Sequence, residues 1–113
     1  MEWREPTWVP YRKHRPLPGL SWDEVVAASK EGPAYYHPDL VDRIEELEMR
    51  CIRLGQQIGQ HSAIRDYWIE LAEVVGASKG KETRYVFAEW HQTGPVHGRP
   101  ITRDELRRKG ARL

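Results

Sequence analysis

The sequence predicts a mainly α protein with one small β element, built on a central amphipathic helix or helical hairpin and flanked by extended N- and C-terminal arms. Three observations carry that expectation. Leu40, Ile44, Leu47, Cys51, Leu54 and Ile58 recur at spacings of 4, 3, 4, 3 and 4, the pattern of a heptad a/d seam. A second apolar stripe, Ile64, Trp68, Leu71 and Val75, restarts at helical spacing after the break Gly59-Gln60-His61-Ser62. The run from Thr83 to Trp90 is dense in β-branched and aromatic residues and reads first as a short strand or hairpin near 83–90, with a helix as the second reading.

Residues 1–20 read as an extended arm rich in Pro and Trp. Pro6, Pro10, Pro16 and Pro18 each remove a backbone donor and restrain the preceding residue, which defeats both helix and central strand. Trp3, Trp8 and Tyr11 give that arm large side chains with which to dock. Residues 21–93 read as a helical core with the short β element. Ser21 and Glu24 form a capping box that opens a short helix, stopped by Gly32-Pro33. Pro38-Asp39 then starts the central helix, with proline at its first position and an acid in its first turn.

In the seam, Leu40, Leu47 and Leu54 take d positions, and Ile44, Cys51 and Ile58 take a positions. A coiled coil between chains and a core-facing helix both satisfy this pattern, and in either Cys51 packs rather than reacts. Tyr67, Ile69, Ala72 and Val74 make the second stretch apolar almost all round, as in a helix buried on more than one side, with a kink or tight turn near 59–62. In the 83–90 strand, Tyr85, Phe87 and Glu89 fall on one face. Residues 94–113 read as a loop, marked by Gly94-Pro95, Gly98 and Arg99-Pro100, followed by a short basic helix that Thr102 caps.

Charge is segregated along the chain. The 113 residues carry 18 Lys+Arg against 17 Asp+Glu, yet residues 1–20 are net +2, residues 21–78 net −6 and residues 79–113 net +5. Basic ends of this kind meet something acidic, either nucleic acid or the middle of a neighbouring copy. A mean hydropathy of −0.76 and the lack of an apolar run near 18 residues exclude a membrane span. Met1-Glu2-Trp3-Arg4 has no apolar core, so the expected location is the cytoplasm, or a particle assembled there, and not the secreted space. The single cysteine, Cys51, excludes an internal disulfide framework and a cysteine-rich zinc site.

Five tryptophans, five tyrosines and 13 arginines against 5 lysines favour interfaces. The expected function is therefore a non-enzymatic structural or assembly protein acting through protein–protein contacts, such as a small component of a phage virion or a similar multi-subunit particle. Its partners would be copies of itself or a larger assembly, and no cofactor is expected. The expected interface residues are Trp3, Trp8 and Tyr11 in the first arm, Leu40, Ile44, Leu47, Leu54 and Ile58 in the seam, and Arg103, Arg107 and Arg108 in the second arm.

Residues 71–86, from Leu71-Ala72-Glu73 through Gly76-Ala77-Ser78 to Tyr85-Val86, resemble the core of bacterial helix-turn-helix regulators. An alanine precedes a turn glycine by four residues, and a serine follows in the capping position of a second helix. The resemblance implies a small DNA-binding regulator in which Ser78, Lys79, Lys81, Thr83 and Arg84 face DNA. A third reading rests on Glu89, His91 and His97, with Arg84 and Arg99 close in sequence. Those residue types supply an acid, a base and a phosphate anchor for a small nuclease, or ligands for a metal. No phosphate-cradling glycine loop, Gly-x-Ser-x-Gly, Cys-x-x-Cys or His-Glu-x-x-His accompanies them.

Overall fold

A computed structural model describes residues 2–113. It contains eight strands in two sheets and only three α-helices, so the chain is β-rich and not mainly α. The strands are β1 (Thr7–Trp8), β2 (Tyr35–Tyr36), β3 (Gln56–His61), β4 (Ile64–Glu70), β5 (Gly76–Ser78), β6 (Lys81–Thr83), β7 (Tyr85–His91) and β8 (Pro95–Ile101). The helices are α1 (Trp22–Ala28), α2 (Ile44–Leu54) and α3 (Arg103–Arg108), with 3₁₀ turns at Arg12–His14 and Pro38–Arg43. The main sheet has the order β1-β8-β7-β4-β3, antiparallel except where β1 runs parallel to β8; a small antiparallel sheet has the order β2-β5-β6.

Where the second helix was expected, from Ile64 to Val75, the chain forms β4 and the loop after it, and β3 replaces the end of the seam and the break before it. The apolar residues of β4 lie on both sides because both of its faces are covered: Tyr67 and Ile69 pack in the cluster under α2, and Trp68 packs with Tyr85, Phe87, Ile101 and Leu106 under α3. A strand buried on two faces loses its alternation and reads like a buried helix. α2 stops where Gly55 carries the chain against β4, since a Cβ there would stand 2.3 Å from the Cys51 carbonyl oxygen and 2.5 Å from that of Trp68. The expected loop at 94–101 is β8. Its Pro100 is tolerated because β1 pairs β8 only at Pro95 and Val96, which leaves the rest of that edge without a strand partner.

Residues 71–86 contain no helix and therefore no recognition helix. Ser78 closes β5, Lys81 and Thr83 bound β6, and Lys79 and Gly80 between them both take positive φ (55° and 78°), the signature of a two-residue type I′ hairpin turn. Ser78 and Thr83 are buried, Thr83 Oγ1 donates to the Ile101 carbonyl at 2.6 Å, and Arg84 pairs with Glu70.

Much of the seam and parts of both arms pack within the chain. Ile44, Leu47 and Cys51 are buried in the core beneath α2, Leu40 and Ile58 are half-buried against the two apolar clusters, and Leu54 is exposed. Trp3 packs on Trp90 with ring centroids 5.2 Å apart, and the Arg65 guanidinium lies 4.0 Å from the Trp3 ring centroid. Leu106 of α3 is fully buried, and Arg103 Nη1 donates to the Tyr85 hydroxyl at 3.4 Å; Arg107 and Arg108 remain exposed. β1, β7 and β8, which come from the three expected segments, share one sheet. No helix among the described residues is long and apolar enough to cross a membrane.

Candidate functional site

The β7–β8 register sets Tyr85 opposite Ile101, Phe87 opposite Arg99 and Glu89 opposite His97. The β4–β7 register sets Trp68 opposite Phe87, Asp66 opposite Glu89 and Ile64 opposite His91. Cross-strand partners share a face, so one face carries successive rows. α3 packs on the apolar rows built from Ile101, Tyr85, Phe87 and Trp68. Past α3 the next row is His97–Glu89–Asp66, one titratable side chain from each of three adjacent strands.

Further groups ring this row. His61, at the end of β3, meets Asp66 with Nε2 2.9 Å from Oδ2. His91 stands edge-on to His97 at 5.6 Å between ring centroids. The 3₁₀ turn at Arg12–His14 lays the N-terminal segment over β8, so that Tyr11 meets His97 at 5.8 Å and His14 at 5.7 Å. Four of the five histidines therefore belong to one surface. A cleft of about 350 Å³ opens there, lined by Tyr11, Lys13, His14, Glu89, His97 and Arg99.

Two electrostatic features define its cationic side. Burial pushes the His14 imidazole below its usual range; its hydrogen bond to the Ala34 carbonyl opposes this, and the Arg99 and Lys13 charges add to it. A carbonyl only accepts, so His14 Nδ1 donates across the 2.7 Å contact and the neutral ring keeps Nε2 unprotonated. Arg99 is held by Glu105 through one Nη nitrogen, with its guanidinium 5.3 Å from the Phe87 ring centroid. Burial would raise the Glu105 carboxyl, but Arg99, with smaller help from Lys79 and Lys109, holds it below its usual value. The remaining guanidinium N–H donors of Arg99 are left for an anion.

The reverse side of β8 is fixed by a buried acid. Glu48, on α2, is 3% exposed and accepts hydrogen bonds from Trp8 Nε1 at 2.9 Å, from the Tyr36 hydroxyl at 2.7 Å and from the Gly98 backbone. Gly98 lies between His97 and Arg99, and a Cβ there would stand 2.7 Å from Glu48 Cδ. Strand and helix thus meet at van der Waals contact only because position 98 has no side chain. The same carboxylate ties β1, β2 and β8 together behind the site.

His61, Asp66 and Glu89 offer ligand atoms that all lie within 4.8 Å of one another, and these residues could hold a cation. Asp66 Oδ1 is shut off from solvent and no donor reaches it. Glu89, His91 and His97 were visible in the sequence as a local group, and the sheet places them together. Arg84 lies elsewhere, on Glu70. His61, Asp66, Tyr11, Lys13 and His14 join the site only through strand register and the path of the N-terminal segment, which no local pattern records. No protein-family model matches the chain, and no curated protein or solved structure matches it.

Proposed function

We propose that the chain is a small nuclease that cleaves RNA by acid–base chemistry on the open face of β4, β7 and β8. The observation that carries this reading is the cross-strand pair Glu89–His97, set in the cleft beside Arg99. Glu89 accepts the proton of the ribose 2′-hydroxyl as its oxygen attacks phosphorus. The bond to the 5′-oxygen breaks, and protonated His97 gives its proton to that leaving oxygen, so the products are a 2′,3′-cyclic phosphate and a free 5′-hydroxyl. Arg99 and Lys13 offset the charge that builds on the phosphoryl oxygens.

The expectation of a non-enzymatic protein rested on its tryptophan, tyrosine and arginine content; the row of titratable groups His97–Glu89–Asp66 supports the enzymatic reading instead. The assembly reading drew on free arms and an open seam, and it has less support where Trp3, Ile44, Leu47 and Leu106 pack within the chain. The test is cleavage of a fluorogenic single-stranded RNA by purified protein. Glu89→Gln and His97→Ala should each lower kcat by about 10²- to 10⁴-fold with the fold intact, and the wild-type pH profile should be bell-shaped. Wild-type protein that leaves RNA intact, or either variant at full activity, would refute the proposal.

A second reading, a divalent-cation site on His61, Asp66 and Glu89, is favoured by the stranded Asp66 Oδ1. Manganese or zinc should then raise Tm in wild type but not in Asp66→Asn; equal shifts in both would count against it.

A further inference from the structure

We infer that the N-terminal segment 10–20 extends the site into a track for single-stranded nucleic acid, with Tyr11 as the platform on which an unpaired base stacks. This rests on the nuclease reading and names the form of its substrate.

Tyr11 stands between two depressions. One is the cleft over Glu89, His97 and Arg99; the other is a groove of about 660 Å³ whose walls include Pro10, Arg15, Pro16, Leu17 and Pro18. The Tyr11 ring is held edge-on by His97 and His14, yet the residue is 48% exposed, so it is fixed in place with much of its surface open. Cations flank it on both sides: Lys13 and Arg99 in the cleft, Arg12 and Arg15 in the groove. Residues 6–22 contain no acid, and Arg12, Lys13 and Arg15 form no ion pair among the described residues.

An exposed aromatic between two sets of cations is the arrangement that binds single strands, in which phosphates follow the positive groove and bases stack on the ring. A duplex hides its base faces from such a ring. Leu17, 71% exposed, adds an apolar surface for a second base, and the prolines hold the track in shape before the strand arrives. A base on Tyr11 would sit next to the phosphate that Glu89 and His97 act on, because Tyr11 touches His97 directly.

The experiment measures fluorescence anisotropy of the full chain with labelled 2′-O-methyl RNA, which lacks the attacking hydroxyl, and with single-stranded DNA of the same sequence. Both are roughly ten nucleotides long, within the usual site size of such grooves. A blunt duplex of the same sequence serves as the comparison. The single strands should bind at least about tenfold tighter than the duplex. Tyr11→Ala should weaken single-strand binding about 5- to 100-fold, and Tyr11→Trp should restore it. Arg12→Ala with Arg15→Ala, both exposed positions, should flatten the salt dependence by about one phosphate contact or more. Equal binding of duplex and single strand overturns the inference. So does unchanged affinity in folded Tyr11→Ala, or an unchanged salt slope in the arginine double variant, which also decides the matter if Tyr11→Ala fails to fold.

The two proposals fail separately. Tyr11-dependent binding of single strands without RNA cleavage removes the nuclease and leaves the track. RNA cleavage at the same KM in wild type, Tyr11→Ala and the arginine double variant removes the track and leaves the nuclease.

Discussion

Glu48→Ala tests the architecture behind the site. It removes the acceptor of three donors at once: the half-buried Trp8 Nε1 and the buried Tyr36 hydroxyl and Gly98 N–H. Stranding one buried donor costs about 1–3 kcal/mol. Relief from burying an acid offsets part of that, so a net loss of about 3–5 kcal/mol is expected, as when one partner of a buried charged network is deleted. Glu48→Gln keeps the shape and one acceptor oxygen, and the Tyr36 hydroxyl can rotate to accept from the new amide. Its effect should therefore depend on pH. Burial raises the Glu48 carboxyl above its reference value of 4.5, against the lowering effect of its hydrogen bonds. The folded state thus holds that proton to higher pH than the unfolded state does. The group's stabilising contribution is complete below 4.5 and is lost as pH rises through the folded value. Glu48→Gln, which does not titrate, should gain on wild type as pH rises from about 4 to about 8. Urea unfolding followed by tryptophan fluorescence across that range measures both effects. A cost below about 1 kcal/mol for Glu48→Ala, or a wild-type-to-Gln difference that is flat with pH, would refute the reasoning.

Gly98→Ala should cost about 1–3 kcal/mol and lower RNA cleavage, because the new Cβ would press on Glu48 and on the Phe87 carbonyl 2.9 Å away; activity and urea midpoints check it. His14→Gln should become more stable relative to wild type as pH falls. Burial lowers the folded His14 value below 6.5, so its contribution is complete above 6.5 and is lost as pH falls through the folded value, which chemical unfolding at about pH 5 and pH 7.5 would reveal. Lys79→Asn should stabilise by about 0.5–1 kcal/mol, because asparagine tolerates the positive φ of 55° better than lysine does, and the exposed 3.7 Å contact of Lys79 with Glu105 contributes little. A fall in Tm would count against the type I′ turn.

Much of the local structure was legible because its causes lie within a few residues. The Ser21–Glu24 box caps α1 with both reciprocal hydrogen bonds, Thr102 caps α3, and 85–91 is a strand with Tyr85, Phe87 and Glu89 on one face. The spacing of Ile44, Leu47 and Cys51 marked the buried stripe of α2, although the helix ends at Leu54. Ile58 belonged to the same numerical pattern by coincidence, and it lies in β3. The strands β3, β4 and β8 were hidden for other reasons, although β3–β4 and β7–β8 are hairpins whose partners lie near in sequence. Both faces of β4 are covered, by α2 and by α3, which erases the alternation that marks a half-buried strand, while Pro95, Gly98 and Pro100 make β8 read as a loop.

The candidate site divides in the same way. By itself the sequence determined which chemical groups are available and that Glu89, His91 and His97 lie close along the chain. It also determined that Cys51 is a packing residue: burial pushes its thiol far above the usual range, with the Glu48 charge adding to the effect. Only the tertiary structure decided that Asp66 stands opposite Glu89, that His61 joins Asp66, and that Tyr11 and His14 lie over His97. The physical reason is register. Side chains alternate across a strand, so a slip of one residue between β4, β7 and β8 would turn the row His97–Glu89–Asp66 toward α2. The contacts that prevent the slip, Trp68 and Phe87 under α3 on one face and Val86 and Ala88 under α2 on the other, exist only once the chain is folded.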